Sequence, residues 1–349
     1  MWLKSLLVIV AIAFSAFFLY ILIEIERCCE DLRANQEEVL PEEVRAEEEV
    51  LLETRMLHFG DLMLDRGVGR TLERGVDPFE NIKTFIKNGS FDVVVANLEG
   101  PFTHSLDCQI KPYSFRFEPE TVTLLSRAGI TAVTLANNHS NDCYEYGIKE
   151  SRDILQTAGI VPFGDDTWSL PRGDEWYAEK LGVTFFGFDT TLGLQVVEEM
   201  KLRVGRDTEE DSRSVAHIHW GNEYKPYPSV AQQNLATTLA SEGVSLIIGH
   251  HPHVIEPAEI IDETVVFYSL GNFIFDQDTI ETQIGYAVEE RTFFEGDGTM
   301  LSRDFIVHPY RIIGHMPTLL QGEERSEVCN RVLHSIGARN ENACSFSVR

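Results

Sequence analysis

Positive charge is what this chain has least of. Lys and Arg together number 29 against 56 Asp and Glu, a formal net charge of −27, and arginine supplies most of the cations. A surface of that sign repels nucleic acid, so DNA and RNA are excluded as partners. It also repels a polyanion unless bound cations invert the local field. The six cysteines contain no C-x-x-C pair, which argues against a structural zinc cluster. No internal repeat and no low-complexity stretch interrupts the chain beyond Thr54. Only one long run is free of charge, at residues 5–23.

That run is about 19 residues long, close to the ~20 a helix needs to cross a bilayer. Lys4 precedes it and Glu24 and Glu26 follow, so the positive-inside rule puts the N-terminus in the cytoplasm and the rest outside. The flank Glu24-Ile25-Glu26-Arg27 lacks the small residues of a cleavage site, which favours an uncleaved single-pass anchor. The expected organisation is an anchor over 1–24, a Glu-rich stalk over 25–53, a catalytic domain over 54–315 and a C-terminal tail over 316–349. Six cysteines fit an oxidising compartment. Cys28 and Cys29 suit a cross-link between chains or a lipid. Cys329 and Cys344 bracket a short stretch and suit a closed loop. Cys108 and Cys143 each follow an acidic residue, Asp107 and Asp142, beside a candidate site loop, and are expected to pair.

With 43% apolar residues the chain can build a core. Strand-like runs at 56–59, 91–96, 130–136, 183–188, 215–219, 244–248 and 264–270 alternate with helical patterns at 78–87, 120–128, 146–158 and 230–242. Residues 190–212 read as irregular. Such alternation predicts an α/β fold with parallel strands and helical crossovers. Open α/β sheets take their ligands at the carboxyl ends of strands, and there the polar residues gather.

Asp61 follows an apolar run and a glycine. Asn97 and Glu99 leave a valine-rich run on the same side. A carboxylate emerging from so apolar a strand needs a cation or a donor. Asn137, Asn138 and His139 follow the next run directly, where a helix cap needs one polar residue rather than three. An amide oxygen can bind a metal, a histidine can bind one or donate a proton, and Asp142 is near enough to orient His139. His217 and His219 alternate out of one strand, and one of them is expected to be a hydrogen-bonded core histidine. Glu223 follows close behind as a supporting partner. His250, His251 and His253 cluster around Pro252, with the last two spaced to reach one metal. Asn272 follows an apolar run at the same sheet edge, in a supporting role.

In this order, the segments resemble the CapA family of poly-gamma-glutamate capsule proteins, which looks like a branch of the calcineurin-like metallophosphoesterases. The matching strings are GDLMLDR at 60–66, NLEGP at 97–101, KPYSFRFEPE at 111–120, ANNHSND at 136–142, HWGNEY at 219–224, HPHV at 251–254 and YSLGNFIFD at 268–276. The resemblance implies a four-layer α-β-β-α metallophosphoesterase-like sandwich, two facing sheets flanked by helices with metals at one end. It implies Asp61, Glu99, Asn138, His219, His251 and His253 as metal ligands and His139 as the proton donor. Met63 stands where the superfamily has a further histidine ligand, so one metal is expected to be held firmly and a second weakly or not at all. Tyr144 replaces a glycine of the family pattern, and Glu256 stands where a glutamine is frequent.

Two functions follow. In one, a divalent metal (Mn, Mg, Zn or Fe, one or two ions) activates water against a phosphoester or related bond, and His139 protonates the leaving oxygen. In the other, the chain is a non-catalytic accessory subunit of a membrane complex that makes and exports a capsule polymer. The expected partners are the membrane, polymer synthase or export subunits, and an anionic polymer or phosphoester substrate.

Overall fold

The structure is a computed structural model that describes residues 52–164, 175–191, 193, 197–207, 213–337 and 344–348, with Ile21, Ile23, Glu24, Glu26 and Arg27 from the N-terminal region. It divides into two compact units, Met1–Leu51 and Leu52–Arg349. In the first, the five named residues are helical and exposed. The rest of the expected anchor, the acidic segment up to Leu51, and Cys28 and Cys29 lie outside the described residues. Among the described residues no helix is long and apolar enough to cross a membrane.

The second unit opens with β1 (Leu52–Leu62), α1 (Arg66–Glu73), α2 (Lys83–Asn88) and β2 (Val93–Leu98). It continues with α3 (Val122–Ala128), β3 (Ala132–Thr134), α4 (Tyr144–Thr157) and β4 (Val161–Phe163). Next come β5 (Trp176–Ala178), β6 (Val183–Asp189), α5 (Val197–Asp207), β7 (Arg213–His219), α6 (Val230–Ser241) and β8 (Leu246–His250). Strands β9 (Ala258–Ile261), β10 (Thr264–Phe267), β11 (Asn272–Ile274), β12 (Ile284–Phe294), β13 (Met300–Ile313) and β14 (Met316–Leu319) precede α7 (Gly322–Leu333) and β15 (Ser345–Val348).

Two sheets form. The first runs β14-β13-β12-β1-β2-β3-β4, with β11 against β1 and β15 against β13. Its β1–β4 half is parallel, and β12 adds antiparallel to β1. The second runs β5-β6-β7-β8-β10-β9, with β6, β7, β8 and β10 parallel and antiparallel strands at both edges. The fold is therefore a mixed α/β sandwich of two sheets.

The period-2 alternation of strands sorts their side chains between cores. Val93 and Val95 of β2 enter the same core as Phe185, Val215, Leu246 and Ile248 of the second sheet. Their neighbours Val94 and Ala96 pack with α3 residues such as Leu125. On the second sheet, Phe186, Ala216 and Ile247 turn instead to Met200 and Val204 of α5 and Leu235 and Leu239 of α6. Helix α6 begins in a capping box: the Ser229 hydroxyl accepts from Gln232 N, and the Gln232 side chain answers the Ser229 backbone. The stretch read as irregular between 190 and 212 contains α5, a helix burying Met200 and Val204 among charged neighbours.

The segment read as a C-terminal tail contributes β14, α7 and β15. Cys329 and Cys344 form a disulfide and sit in the core with Val332 and Leu333. Cys108 and Cys143 also form a disulfide, as expected, joining the loop after Glu99 to the loop after His139.

Candidate metal centre

Two close backbone approaches set the strand ends. A Cβ at Gly60 would fall 1.8 Å from Gly271 O, and one at Gly249 would fall 1.9 Å from Tyr268 O. Only glycine lets those chains pass. The first approach aligns three strands, so that Asp61 pairs in register with Asn97 on β2 and with Asn272 on β11. On the other sheet, His219 is in register with His250. His251 and His253 then leave β8 with φ of 94° and 58°. Left-handed non-glycine residues cost about 1–3 kcal/mol each and persist where the surroundings over-determine them.

The expected ligands and the expected acid meet here, at the carboxyl ends of strands from both sheets. Asp61, Glu99 and His253 are buried, and their ligand atoms all lie within 4.8 Å of one another, a group able to hold a metal ion. His253 Nδ1 is 3.2 Å from Asp61 Oδ2, and its Nε2 is 3.6 Å from Glu99 Oε1. His139 Nε2 approaches the same Glu99 oxygen at 3.8 Å. His219 Nε2 lies 2.9 Å from Asn138 Oδ1 and 3.1 Å from His251 Nδ1.

Amides orient these groups. Asn137 Nδ2 donates to Asn97 Oδ1 (3.0 Å), which turns Asn97 Nδ2 toward Asp61 Oδ1 (2.8 Å) and His219 Nδ1 (3.2 Å). Asn272 Nδ2 donates to Gln277 Oε1 and Thr282 O, so its Oδ1 faces His253 Nδ1 at 2.9 Å. That oxygen can only accept. Nδ1 of His253 must then carry the proton, leaving Nε2 to point at Glu99 with a lone pair once His253 is neutral.

Neither oxygen of Glu99 has a hydrogen-bond partner, although the residue is fully buried. Burial pushes its carboxyl up to about 8, against the pull of His253. For Asp61 burial acts the same way, but interactions with His250 and His253 win and hold it well below the usual carboxylate range. Burial opposes charge on His253 too, yet Glu99 and Asp61 push it up to about 9. His219 lies well below the ordinary histidine value and His251 falls to about 4, through burial first and neighbouring histidines second. Those two rings are neutral at pH 7, as metal ligands must be. A buried carboxyl group with both oxygens unpaired, beside imidazoles and amide oxygens, is a donor set that fits a divalent cation able to displace its protons.

His139 Nδ1 stands 2.8 Å from Asp142 Oδ2, and its ring stacks on Phe115 at 4.1 Å between centroids. Glu223 is exposed at the mouth, where its charge acts on Glu99 and His253. His217 is the core histidine of its pair. It lies 3.2 Å from His58 and 3.0 Å from His250, and reaches Asp61 only through His250. Met63 turns into the helix-side core, where its sulfur accepts from Asp65 N. Tyr144 is exposed beside the disulfide, whereas Glu256 is buried against Gln232 and pushed up to about 7 by burial.

Sequence reasoning missed Lys111 and Phe115, which face Asp142 and His139, and His58, which closes the histidine row. Lys111 and Phe115 lie within a quoted motif, KPYSFRFEPE, and that was the available signal. His58 sits mid-strand among apolar residues and gave none.

Fold and site define a two-sheet α/β sandwich with a buried carboxylate–imidazole centre at its strand ends. The model of the bacterial capsule synthesis protein family, PGA_cap, matches residues 55–277, a span holding all of these groups. The chain belongs to that family. It is 30% identical over 269 residues to the PGA biosynthesis protein CapA of Bacillus subtilis, covering 68% of each chain. It is 28% identical over 256 residues to the capsule biosynthesis protein CapA of Bacillus anthracis, covering 65% of this chain and 61% of that one. It is 21% identical over 244 residues to a probable polyglutamine synthesis accessory protein of Mycobacterium tuberculosis, covering 62% and 64%.

Proposed function

We propose that this chain is a membrane-anchored hydrolase of metallophosphoesterase type, with that superfamily's four-layer architecture, acting in the synthesis or export of a poly-gamma-glutamate-like envelope polymer. One observation carries the chemistry: Glu99 is buried with both oxygens free, beside Asp61 and His253. Asp61, Glu99 and His253 would hold a divalent metal, with Asn138, His219 and His251 alongside. The bound ion would supply Lewis-acid polarisation of the scissile group and lower the pKa of water. His139 is the proton-handling residue. Asp142 holds its Nδ1, and its Nε2 faces the centre on the side of Glu99, where a protonated ring can hand a proton to a leaving oxygen. Phe115 stacks on that ring, which is buried. The membrane anchor rests on the uncharged run at 5–23, and the envelope polymer on the names of the two Bacillus relatives.

The test is hydrolysis of a generic aryl phosphate by the purified protein with Mn²⁺ or Mg²⁺. Turnover should depend on metal and fall by about 10²–10⁴-fold in His139→Ala. Metal-independent turnover, or equal turnover in the variant, overturns the reading. A second reading, a non-catalytic accessory subunit, is favoured by Met63 standing in place of a ligand and by the name of the mycobacterial relative. It requires a wild-type protein that hydrolyses nothing, with or without bound metal.

A further inference from the structure

The loop between Thr103 and Arg116 is anchored in the core at its far end by Phe115, but its middle has no apolar anchor. Leu106 and Ile110 point into solvent, at 83% and 105% exposure. The middle of the loop is held by the Cys108–Cys143 disulfide and a short set of hydrogen bonds. Gln109 N donates to Asp142 O (2.7 Å), and Gln109 Nε2 donates to Asn141 O (2.6 Å). Two residues on, Lys111 Nζ pairs with Asp142 Oδ1 and donates to Asn138 O at 3.2 Å. Asp142 is fully buried, and its other oxygen serves His139 Nδ1 and Phe115 N (2.6 Å). One ammonium therefore grips the residues on both sides of His139: the carboxylate that orients its ring and the main chain of the amide that faces His219.

We propose that Lys111 is a positioning residue for His139, acting through Asp142 and Asn138, and that the Cys108–Cys143 disulfide is the tether that delivers it. A buried carboxylate with two hydrogen bonds on one oxygen and an ammonium on the other is held in one orientation by all three. Removing the ammonium leaves Asp142 free to rotate away from His139 Nδ1. The Lys111 ammonium is engaged within the protein by one ion pair and one hydrogen bond, which suits a clamp better than a substrate contact. The disulfide supplies what the loop's exposed Leu106 and Ile110 do not, a fixed distance between the loop and the start of α4. Losing the tether should therefore act on His139 in the same way as losing the lysine.

For its kinetic arm the proposal rests on the hydrolase reading above. A second arm, the proton resonance of the His139 Nδ1–H, does not. The variants are Lys111→Met, Lys111→Arg and the pair Cys108→Ser/Cys143→Ser in the full chain. In Lys111→Met, kcat should fall roughly tenfold with KM changed less than about twofold. The His139 Nδ1–H resonance should shift or broaden. Lys111→Arg should restore most of both, which also shows that the position is not merely needed for folding. The double serine variant should lose a similar factor, and adding Lys111→Met to it should cost little more, because both act on one element. Unchanged kcat and an unchanged resonance in Lys111→Met overturn the proposal. A raised KM with unaltered kcat also overturns it, by making Lys111 a substrate contact. If the wild type hydrolyses nothing, the hydrolase reading fails, and the resonance alone decides for or against Lys111.

Discussion

Two fully buried glutamates separate a part of this molecule that supplies its own cations from a part that does not. Glu290, on β12, accepts from Arg213 Nη1 at 2.7 Å and Thr292 Oγ1 at 3.3 Å, with Arg303 Nη1 at 3.6 Å. Burial works against its charge, but the two arginines prevail and its pKa is lowered. Glu99 is equally buried and has neither arginine nor lysine on its oxygens, and it rises to about 8. The same side chain at the same depth thus takes opposite protonation states. A buried carboxylate with its own cations is part of the scaffold. One without them, beside a second buried carboxylate and several imidazoles, presents the donor groups that a cation from solution would need.

The largest expected effect breaks the scaffold side of that comparison. Glu290→Ala leaves Arg213 and Arg303 buried without their carboxylate and should cost about 3–5 kcal/mol in urea unfolding. Glu99→Gln in metal-free protein replaces a protonated side chain whose oxygens have no hydrogen-bond partner and should leave stability unchanged or higher. Equal losses in both variants would erase the distinction. Next in size is the metal itself. Mn²⁺ at a hundredfold excess over its Kd should add about 2.7 kcal/mol to the wild type. Melting with and without Mn²⁺ reads this out, and Glu99→Gln should lose the increment.

The smallest effect concerns pH, and the two regions should slope in opposite directions. Glu289 lies at about 2 against an ordinary 4.5; burial opposes this, and hydrogen bonds from His308, Arg291 and Arg55 outweigh it. The unfolded chain binds the extra proton between those values, so this contribution is present above 4.5 and is lost as pH falls toward 2. At the candidate metal centre the sign reverses. Glu99 at about 8 and His253 at about 9 bind protons that the unfolded chain, with values of 4.5 and 6.5, has already released. Metal-free stability should therefore decline as pH rises toward 9, and saturating metal should flatten that decline. Urea midpoints across the range, with and without Mn²⁺, check both slopes.

The same contrast explains what the sequence made legible. Strands with one apolar face to each core announce themselves, as Val93 to Ala96 does, and polar residues at their ends stand out against that background. The expected ligands were therefore readable one by one, and the order of their segments read as a family. Strands β12 and β13 were not readable. Their buried Glu289, Glu290 and Arg303 break the apolar alternation, and only pairing with β1 and the second sheet makes those charges tolerable. Helix α5 hid for a related reason, since its buried Met200 and Val204 are outnumbered by charged residues. The choice between His217 and His219 needed tertiary structure, because both leave β7 on one side and only the row through His58 and His250 claims the first.

The most direct test of the central claim is calorimetric titration of the metal-free protein with Mn²⁺ at pH 8, in wild type and Glu99→Gln. The account predicts firm binding of about one ion in the wild type, at least roughly tenfold weaker in the variant. Binding of the same strength in both, or no binding by the wild type at millimolar Mn²⁺, would contradict it.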